Sequence, residues 1–361
     1  MKYDFCIIGA GLAGLSLAKE LSSLSNTKIL VIDPLGIGKG ASGSPIGLAN
    51  PATGRYATKS WKAEESLNLL EENLEKVSSF STEKIFSKSG IVRPAMDSKI
   101  AKRMKENVET SDWSDGSCKW LSEKELHNNF PDLFCIDGGV WVPSGMTVAI
   151  PKYLDALASY LKVSGVDFIE GINFDLRKSN NAWFLDLKST NEIEANHIVI
   201  TAGIKSTRYD FWKDLPLHPV KGQVAVFKTE QKFPYRSAIS ALGYFAGIDP
   251  YTFVAGSTYE HKFANEETDR KGLSYIEDRM LRVMPYMEGK YKLIQQWAGV
   301  RASTPDRKPF AGDHPHIEGC SILAGLGSKG LLYSSLLAKE FAHYLLDGIA
   351  ISPEVSLNRF N

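Results

Sequence analysis

Near the start of the chain, three glycines and one aspartate have the spacing of a dinucleotide site. Gly9, Gly11 and Gly14 form G-x-G-x-x-G, and Asp33 follows nineteen residues after the last of them. The first glycine permits a tight turn, the second lets backbone reach a pyrophosphate, and the third lets a helix pack on a strand. The helix N-terminus then turns N–H groups and a positive dipole toward the phosphates. Asp33, at the end of the second expected strand, can accept hydrogen bonds from a ribose diol and would repel a 2′-phosphate, which disfavours NADP. Strand, helix and acidic residue are all in place, which favours a dinucleotide site over a structural glycine turn.

The fingerprint alone does not choose between NAD and FAD; three later segments do. ASGSPIGLANPATG (41–54), with Ala41, Ser42, Gly43 and Gly47, is a small-residue loop able to pass beneath an isoalloxazine ring. NHIVITAG (196–203) is an apolar run ending in a second small turn at Ala202 and Gly203. GLGSKGLLYSSLLAKEF places Gly325, Gly327, Ser328, Lys329, Gly330 and Leu331 at the mouth of the last helix. N–H groups and dipole there would face the pyrimidine carbonyl side of a flavin, where negative charge develops on reduction. Lys329 could stabilise that charge or pair with a carboxylate.

With these residues in view, the chain resembles the D-amino-acid oxidase-type family of FAD oxidoreductases, which includes glycine and sarcosine oxidases. The resemblance runs nearly end to end. It rests on the glycine fingerprint, ASG (41–43), VITAG (199–203), VKGQ (220–223), GSTYE (256–260), GVRASTPDRKPFAG (299–312) and GLGSKG (325–330). Within the family it is most similar to the C-terminal FAD domain of the bifunctional tRNA 5-methylaminomethyl-2-thiouridine biosynthesis protein, through ASGSPIGLANP and GLGSKGLLYSSLLAKE. No counterpart of the N-terminal methyltransferase domain found there is expected in this chain.

The resemblance implies that Arg301, in the G-V-R segment before Pro305 and Asp306, pairs with a substrate carboxylate. A guanidinium fork gives bidentate recognition that lysine cannot. The bland alternative is a structural ion pair with Asp306 or Asp313. Sarcosine oxidases carry a flavin-linked cysteine near this position, so arginine here implies non-covalent FAD. Tyr244 and Tyr259 could orient substrate through their hydroxyls, against plain packing as the alternative. The implied reaction is oxidation of the C–N bond of an amino acid or N-substituted glycine. Two alternatives are removal of the carboxymethyl group from carboxymethylaminomethyl-uridine in tRNA, and an NAD-dependent dehydrogenase.

These residues need an α/β fold: a Rossmann-like FAD-binding domain plus an α+β substrate domain with a large antiparallel sheet. The expected division gives 1–85, 140–215 and 295–361 to the FAD domain, and 86–139 and 216–294 to the substrate domain. Helical spacing of Leu67, Leu70, Leu74 and Val77 predicts a helix over 61–80, whereas 34–54 reads as loop. GQVAVF and YTFVAGS alternate as antiparallel strands do. Length suits two domains, with 43% hydrophobic and 23% charged residues. Forty-two basic and 42 acidic residues give zero net charge, hence no global attraction to nucleic acid or an anionic membrane. The cluster Lys99, Lys102, Arg103 and Lys105 reads as a solvated helix face, with an RNA contact as the alternative. Four cysteines form no C-x-x-C pair, Cys6 reads as core, and no metal-ligand spacing is present. Neither signal peptide nor membrane span is evident, so a cytoplasmic location is expected.

Overall fold

The computed structural model describes residues 1–188 and 192–360; residues 189–191 and 361 of the expected FAD-binding segments lie outside them. The fold is α/β and is built on two eight-stranded sheets.

In the first sheet Lys2–Ile8 lies between Ile29–Asp33 and Glu192–Ile200, parallel to both. Asp167–Glu170 extends one side, and Cys320–Ala324 runs parallel to Glu192–Ile200. Residues of the first strand alternate between two cores. Phe5 and Ile7 join Val31 and Val199 under the helices, while Cys6 and Ile8 join Leu30, Ile32 and Ile200 on the other face. Both faces are covered, so the central stretches of these strands (5–8, 29–32 and 198–200) are unbroken apolar runs instead of alternating with polar residues. Leu12–Leu24 and Gly330–Asp347 pack together on the first face through Leu15, Leu21, Leu337 and Phe341.

The second sheet runs in the order 291–303, 218–229, 252–256, 244–249, 238–239, 91–94, 139–142, 119–121. Every pair is antiparallel except 238–239 with 91–94. GQVAVF and YTFVAGS pair directly, Val224 opposite Gly256 through Phe227 opposite Phe253. One face carries Phe227, Phe245 and Phe253 against Ile276, Met280 and Val283 of the Arg270–Val283 helix. The other carries Val224, Val226 and Val254 toward Ile46 and Ala52.

The helix expected over 61–80 spans Ala63–Ser78, with Leu67, Leu70, Leu74 and Val77 buried. The segment read as loop contains a 3-10 turn, Ala41–Gly43, and short strands Gly47–Ala49 and Ala52–Thr53. Gly47–Ala49 pairs with Met146–Val148, a partner about a hundred residues away that local composition could not reveal. The expected boundaries at 140 and 295 fall inside Gly139–Val142 and Tyr291–Ser303, both strands of the second sheet. We propose that the substrate unit takes both strands whole.

Candidate active site

Just past the C-terminal end of the Lys2–Ile8 strand the glycine turn is fixed by backbone. Gly9 sits at φ +122°, where a Cβ would lie 2.6 Å from the Thr201 carbonyl oxygen. A Cβ on Gly14 would lie 1.9 Å from the Gly9 carbonyl oxygen, so helix and turn touch with no room for a side chain. Thr201 Oγ1 donates to the Gly9 carbonyl at 2.8 Å. Gly11 is the N-cap of the Leu12–Leu24 helix and supplies no capping side chain. The Leu12 N–H is accepted instead by Ser42 Oγ at 3.1 Å, which ties the Ala41–Gly43 turn to the helix start.

Asp33 is half-buried at the end of its strand. Its Oδ2 accepts from the Ala10 N–H at 2.9 Å and its Oδ1 from the Leu35 N–H at 2.8 Å. Each carboxylate oxygen keeps a further acceptor site. Asp33 therefore braces the glycine turn and retains acceptor capacity beside it. Residues and geometry fit the adenosine-diphosphate half of a dinucleotide.

The other expected cofactor residues gather around this cradle. Ala202 and Gly203 follow the Glu192–Ile200 strand, with Gly203 at φ +57°. Gly325 and Gly327 also have positive φ, and the Gly327 N–H donates to the Ala302 carbonyl at 3.0 Å. Gly330 opens the last helix, whose first turn has neither a side-chain cap nor an acidic residue. Ser328 is exposed and Lys329 half-buried. Burial holds the Lys329 ammonium below its ordinary pKa, reinforced by the positive charges of Arg307 and Lys308. Gly47 has a plainer reason, since a Cβ there would strike Leu331 and Ile150. That contact also accounts for buried Leu331.

Across from the Ala41–Gly43 turn lies the front face of the second sheet. Trp297, Val224, Gly256 and Tyr244 are direct cross-strand partners and form one row on it. Two and four residues beyond Trp297 on the same strand face come Gly299 and Arg301. The Trp297 indole lies 3.1 Å from where a Gly43 Cβ would be, and Ala41 Cα lies 3.3 Å from a Gly299 Cβ position. Tyr244 reaches the same loop, its Oη donating to the Ile46 carbonyl at 2.9 Å with Ser44 Oγ at 3.5 Å.

Arg301 lies flat across Gly222, where a Cβ would come within 2.1 Å of the guanidinium. Its Nη2 donates to Ser257 Oγ at 2.7 Å and its Nη1 to the Thr258 carbonyl at 3.3 Å. The Tyr259 ring, more than half exposed, stacks 4.6 Å from the guanidinium carbon. Neither acidic partner considered for Arg301 takes that role. Asp306 pairs with Arg359 at 2.8 Å, and Asp313 accepts from Ser321 and Tyr344. Among the described residues no carboxylate lies in salt-bridge range of Arg301, which leaves part of its five-donor fork uncommitted.

The structure thus stacks Tyr259 on Arg301, and the same sheet face meets the 41–46 segment through Trp297, Gly299 and Tyr244. Trp297, Ser257, Thr258, Ser44 and Thr201 were not singled out in the sequence. For Trp297 a signal existed: it stands four residues before Arg301 in a strand, hence on the same face. The basic residues Lys99, Lys102, Arg103 and Lys105 lie on the Ser98–Thr110 helix, with Lys105 near Glu109 and Arg103 over the Tyr56 ring. All four cysteines are buried and unpaired, Cys6 completely. Among the described residues no helix is long and apolar enough to cross a membrane.

Comparison with known proteins places this geometry. A tRNA 5-methylaminomethyl-2-thiouridine biosynthesis bifunctional protein of Leptospira interrogans is 25% identical over 97% of this chain and 58% of its own length. The chain therefore spans a little over half of that relative. Glycine oxidase from Geobacillus kaustophilus superposes with a TM-score of 0.87 at 21% identity, covering 97% of this chain and 96% of that one. Iminodiacetate oxidase from Chelativorans sp. BNC1 gives 0.81 at 21% identity over 99% and 98%. The FAD dependent oxidoreductase model, of the D-amino-acid oxidase type, matches residues 4–344 and sets aside the NAD-dependent alternative. The chain belongs to that family and is an FAD-dependent oxidoreductase.

Proposed function

We propose that the chain oxidises the C–N bond of an amino acid or N-substituted glycine, and that its FAD is held non-covalently. The observation that carries this reading is the Arg301 guanidinium. It is anchored by Ser257 and Thr258, free of any described carboxylate, and on the same sheet face as Trp297 beside Gly43. The FAD would be held by the Gly9–Gly14 turn, Asp33, the Ala41–Gly43 turn, Ala202, Gly203 and the segment from Gly325 to Leu331. When bound, it supplies the two-electron acceptor for the oxidation.

The chain's own residues then bind and orient. Arg301 takes the substrate carboxylate with its free N–H groups, and the Tyr259 ring keeps the guanidinium plane in place. Tyr244 stays a neutral phenol, because burial pushes its pKa up to about 12. Its hydroxyl is spent on the Ile46 carbonyl, so it sets the distance between sheet and loop and moves no proton. Lys329 adds positive charge at the mouth of the last helix. The C=N product takes up water, and an N-carboxymethyl amine would yield a primary amine and glyoxylate.

A second reading takes carboxymethylaminomethyl-uridine in tRNA as the amine. What favours it is the likeness to the bifunctional tRNA biosynthesis protein over nearly the whole chain. Either reading goes with a cytoplasmic location. The deciding experiment is anaerobic bleaching of the flavin by glycine, sarcosine, D-amino acids and tRNA carrying that nucleoside. Bleaching by tRNA alone selects the second reading, and bleaching by none sinks both. Arg301→Ala should cost carboxylate substrates about 3–5 kcal/mol in kcat/KM. Arg301→Lys should cost less, because charge remains and only the fork is lost. An equal loss on an amine lacking the carboxylate would assign Arg301 to the fold.

A further inference from the structure

Arg301 faces the front of the second sheet, and directly behind it on the back face lies a buried polar cluster. Lys221 is 2% exposed and Gln223 fully buried. They alternate along their strand with Val220, Gly222 and Val224, which belong to the front, so the two side chains point the opposite way. Lys221 Nζ lies 3.5 Å from Asp269 and 3.8 Å from Glu260. Gln223 Nε2 donates to Glu260 Oε1 at 3.0 Å and to Asp269 Oδ2 at 3.1 Å, and its Oε1 accepts from the Asp269 N–H at 2.9 Å. Asp269 is also the N-cap of the Arg270–Val283 helix, accepting from the Gly272 N–H.

All three groups that hold Arg301 come from one short run, Ser257, Thr258 and Tyr259, and this cluster fixes that run. The Thr258 N–H donates to the Gln223 carbonyl at 3.1 Å. Thr258 Oγ1 accepts from the Gln223 N–H at 2.9 Å and donates to Glu260 Oε1 at 2.5 Å. Glu260 and Lys221 exchange two backbone bonds of 2.9 and 3.0 Å. The Thr258 side chain is thus locked on the back while its carbonyl accepts from Arg301. Plain sheet packing would need no lysine and glutamine here, since burying them costs free energy unless every group is paired.

We propose that Gln223, Thr258, Glu260 and Lys221 are positioning residues for Arg301, setting the plane of its fork and hence affinity for the substrate carboxylate. The inference rests on the carboxylate role of Arg301 proposed above. The test uses the FAD-loaded protein with acetate as the probe, its binding followed through flavin absorbance. Thr258→Val keeps the shape and removes the Oγ1 link, and Glu260→Gln removes the carboxylate. Each should raise the acetate Kd and the substrate KM about tenfold, with kcat, FAD content and flavin spectrum near wild type. Thr258→Ser, which keeps the hydroxyl, should restore binding.

Arg301→Lys is the reference arm. If it weakens acetate while Thr258→Val and Glu260→Gln do not, the positioning role is overturned and the carboxylate role stands. If Arg301→Lys leaves acetate binding unchanged, the carboxylate role itself fails and the positioning role falls with it. A Glu260→Gln protein that does not fold leaves the decision to the Thr258→Val and Thr258→Ser pair. Loss of kcat and FAD together with acetate binding in that pair would make the cluster structural and overturn the proposal.

Discussion

The two halves of the candidate site are made of different material. The cofactor side is mostly backbone: the turn at Gly9–Gly14, two helix N-termini and several glycines at positive φ, with Asp33 and Ser42 as braces. On the substrate side, side chains do most of the work: Arg301 and Trp297 project from one strand, Tyr244 and Tyr259 from two other segments, and Ser257 Oγ and the Thr258 carbonyl hold the guanidinium. Backbone recognition tolerates almost no change of residue, because the restriction is steric. Side-chain recognition depends on partners that can be retuned one at a time. The cofactor side should therefore fail abruptly under substitution, and the substrate side by degrees.

On the cofactor side the largest effect is expected at Gly14. An added methyl would sit 1.9 Å from the Gly9 carbonyl oxygen, and neither helix nor strand can yield locally. Gly14→Ala should cost about 3 kcal/mol, roughly a hundredfold in FAD affinity. The purified protein should be nearly colourless, with a far-ultraviolet dichroism spectrum close to wild type. Full FAD content in this variant would show that the cradle is softer than its contacts imply.

The same contrast explains what the sequence disclosed. The glycine fingerprint and Asp33 lie within 25 residues of one another, and their roles follow from spacing alone. The alternation in GQVAVF and YTFVAGS marked two strands that do pair. Arg301 was singled out by family resemblance. Its partners Ser257 and Thr258 are more than 40 positions away, and they became visible only once the strand His218–Thr229 was seen to run beside Arg301 and to bond Thr258. The short Gly47–Ala49 strand was hidden for a related reason, since its partner Met146–Val148 is distant and its composition is that of a loop. Helices and buried parallel strands announce themselves locally; a site assembled from cross-strand rows does not.

Asp33 sharpens the comparison, because it is a side chain embedded in the backbone-made half. Both its oxygens already accept N–H groups, from Ala10 and Leu35. Asp33→Asn would turn an amide donor toward one of them and weaken acceptance from a ribose. FAD affinity should fall by about 1.5–3 kcal/mol, the range for hydrogen bonds to a charged group. The FAD-free protein should lose less, measured as the fall in Tm. If the FAD-free protein loses as much stability as binding loses affinity, Asp33 serves the turn only.

Tyr244 should show the smallest effect, and its pH dependence separates a spacer from an acid. Tyr244→Phe removes the bond to the Ile46 carbonyl and should cost about 0.5–1.5 kcal/mol of stability, with a modest rise in KM. Burial raises the phenol to about 12, with Tyr259 adding to the shift and Ser44 and Arg301 opposing it. A folded-state pKa above the unfolded value of about 10 means that the folded protein holds this proton more tightly. The stability so contributed is fully present below about pH 10 and is lost as pH rises through about 12. The gap in stability between wild type and Tyr244→Phe should therefore be constant from neutral pH to about pH 10 and narrow above it. Over the lower range the two proteins should share one shape of kcat/KM against pH. A basic limb near pH ~9 that vanishes in Tyr244→Phe would mean that Tyr244 exchanges a proton with substrate, and its role as a neutral spacer would be wrong.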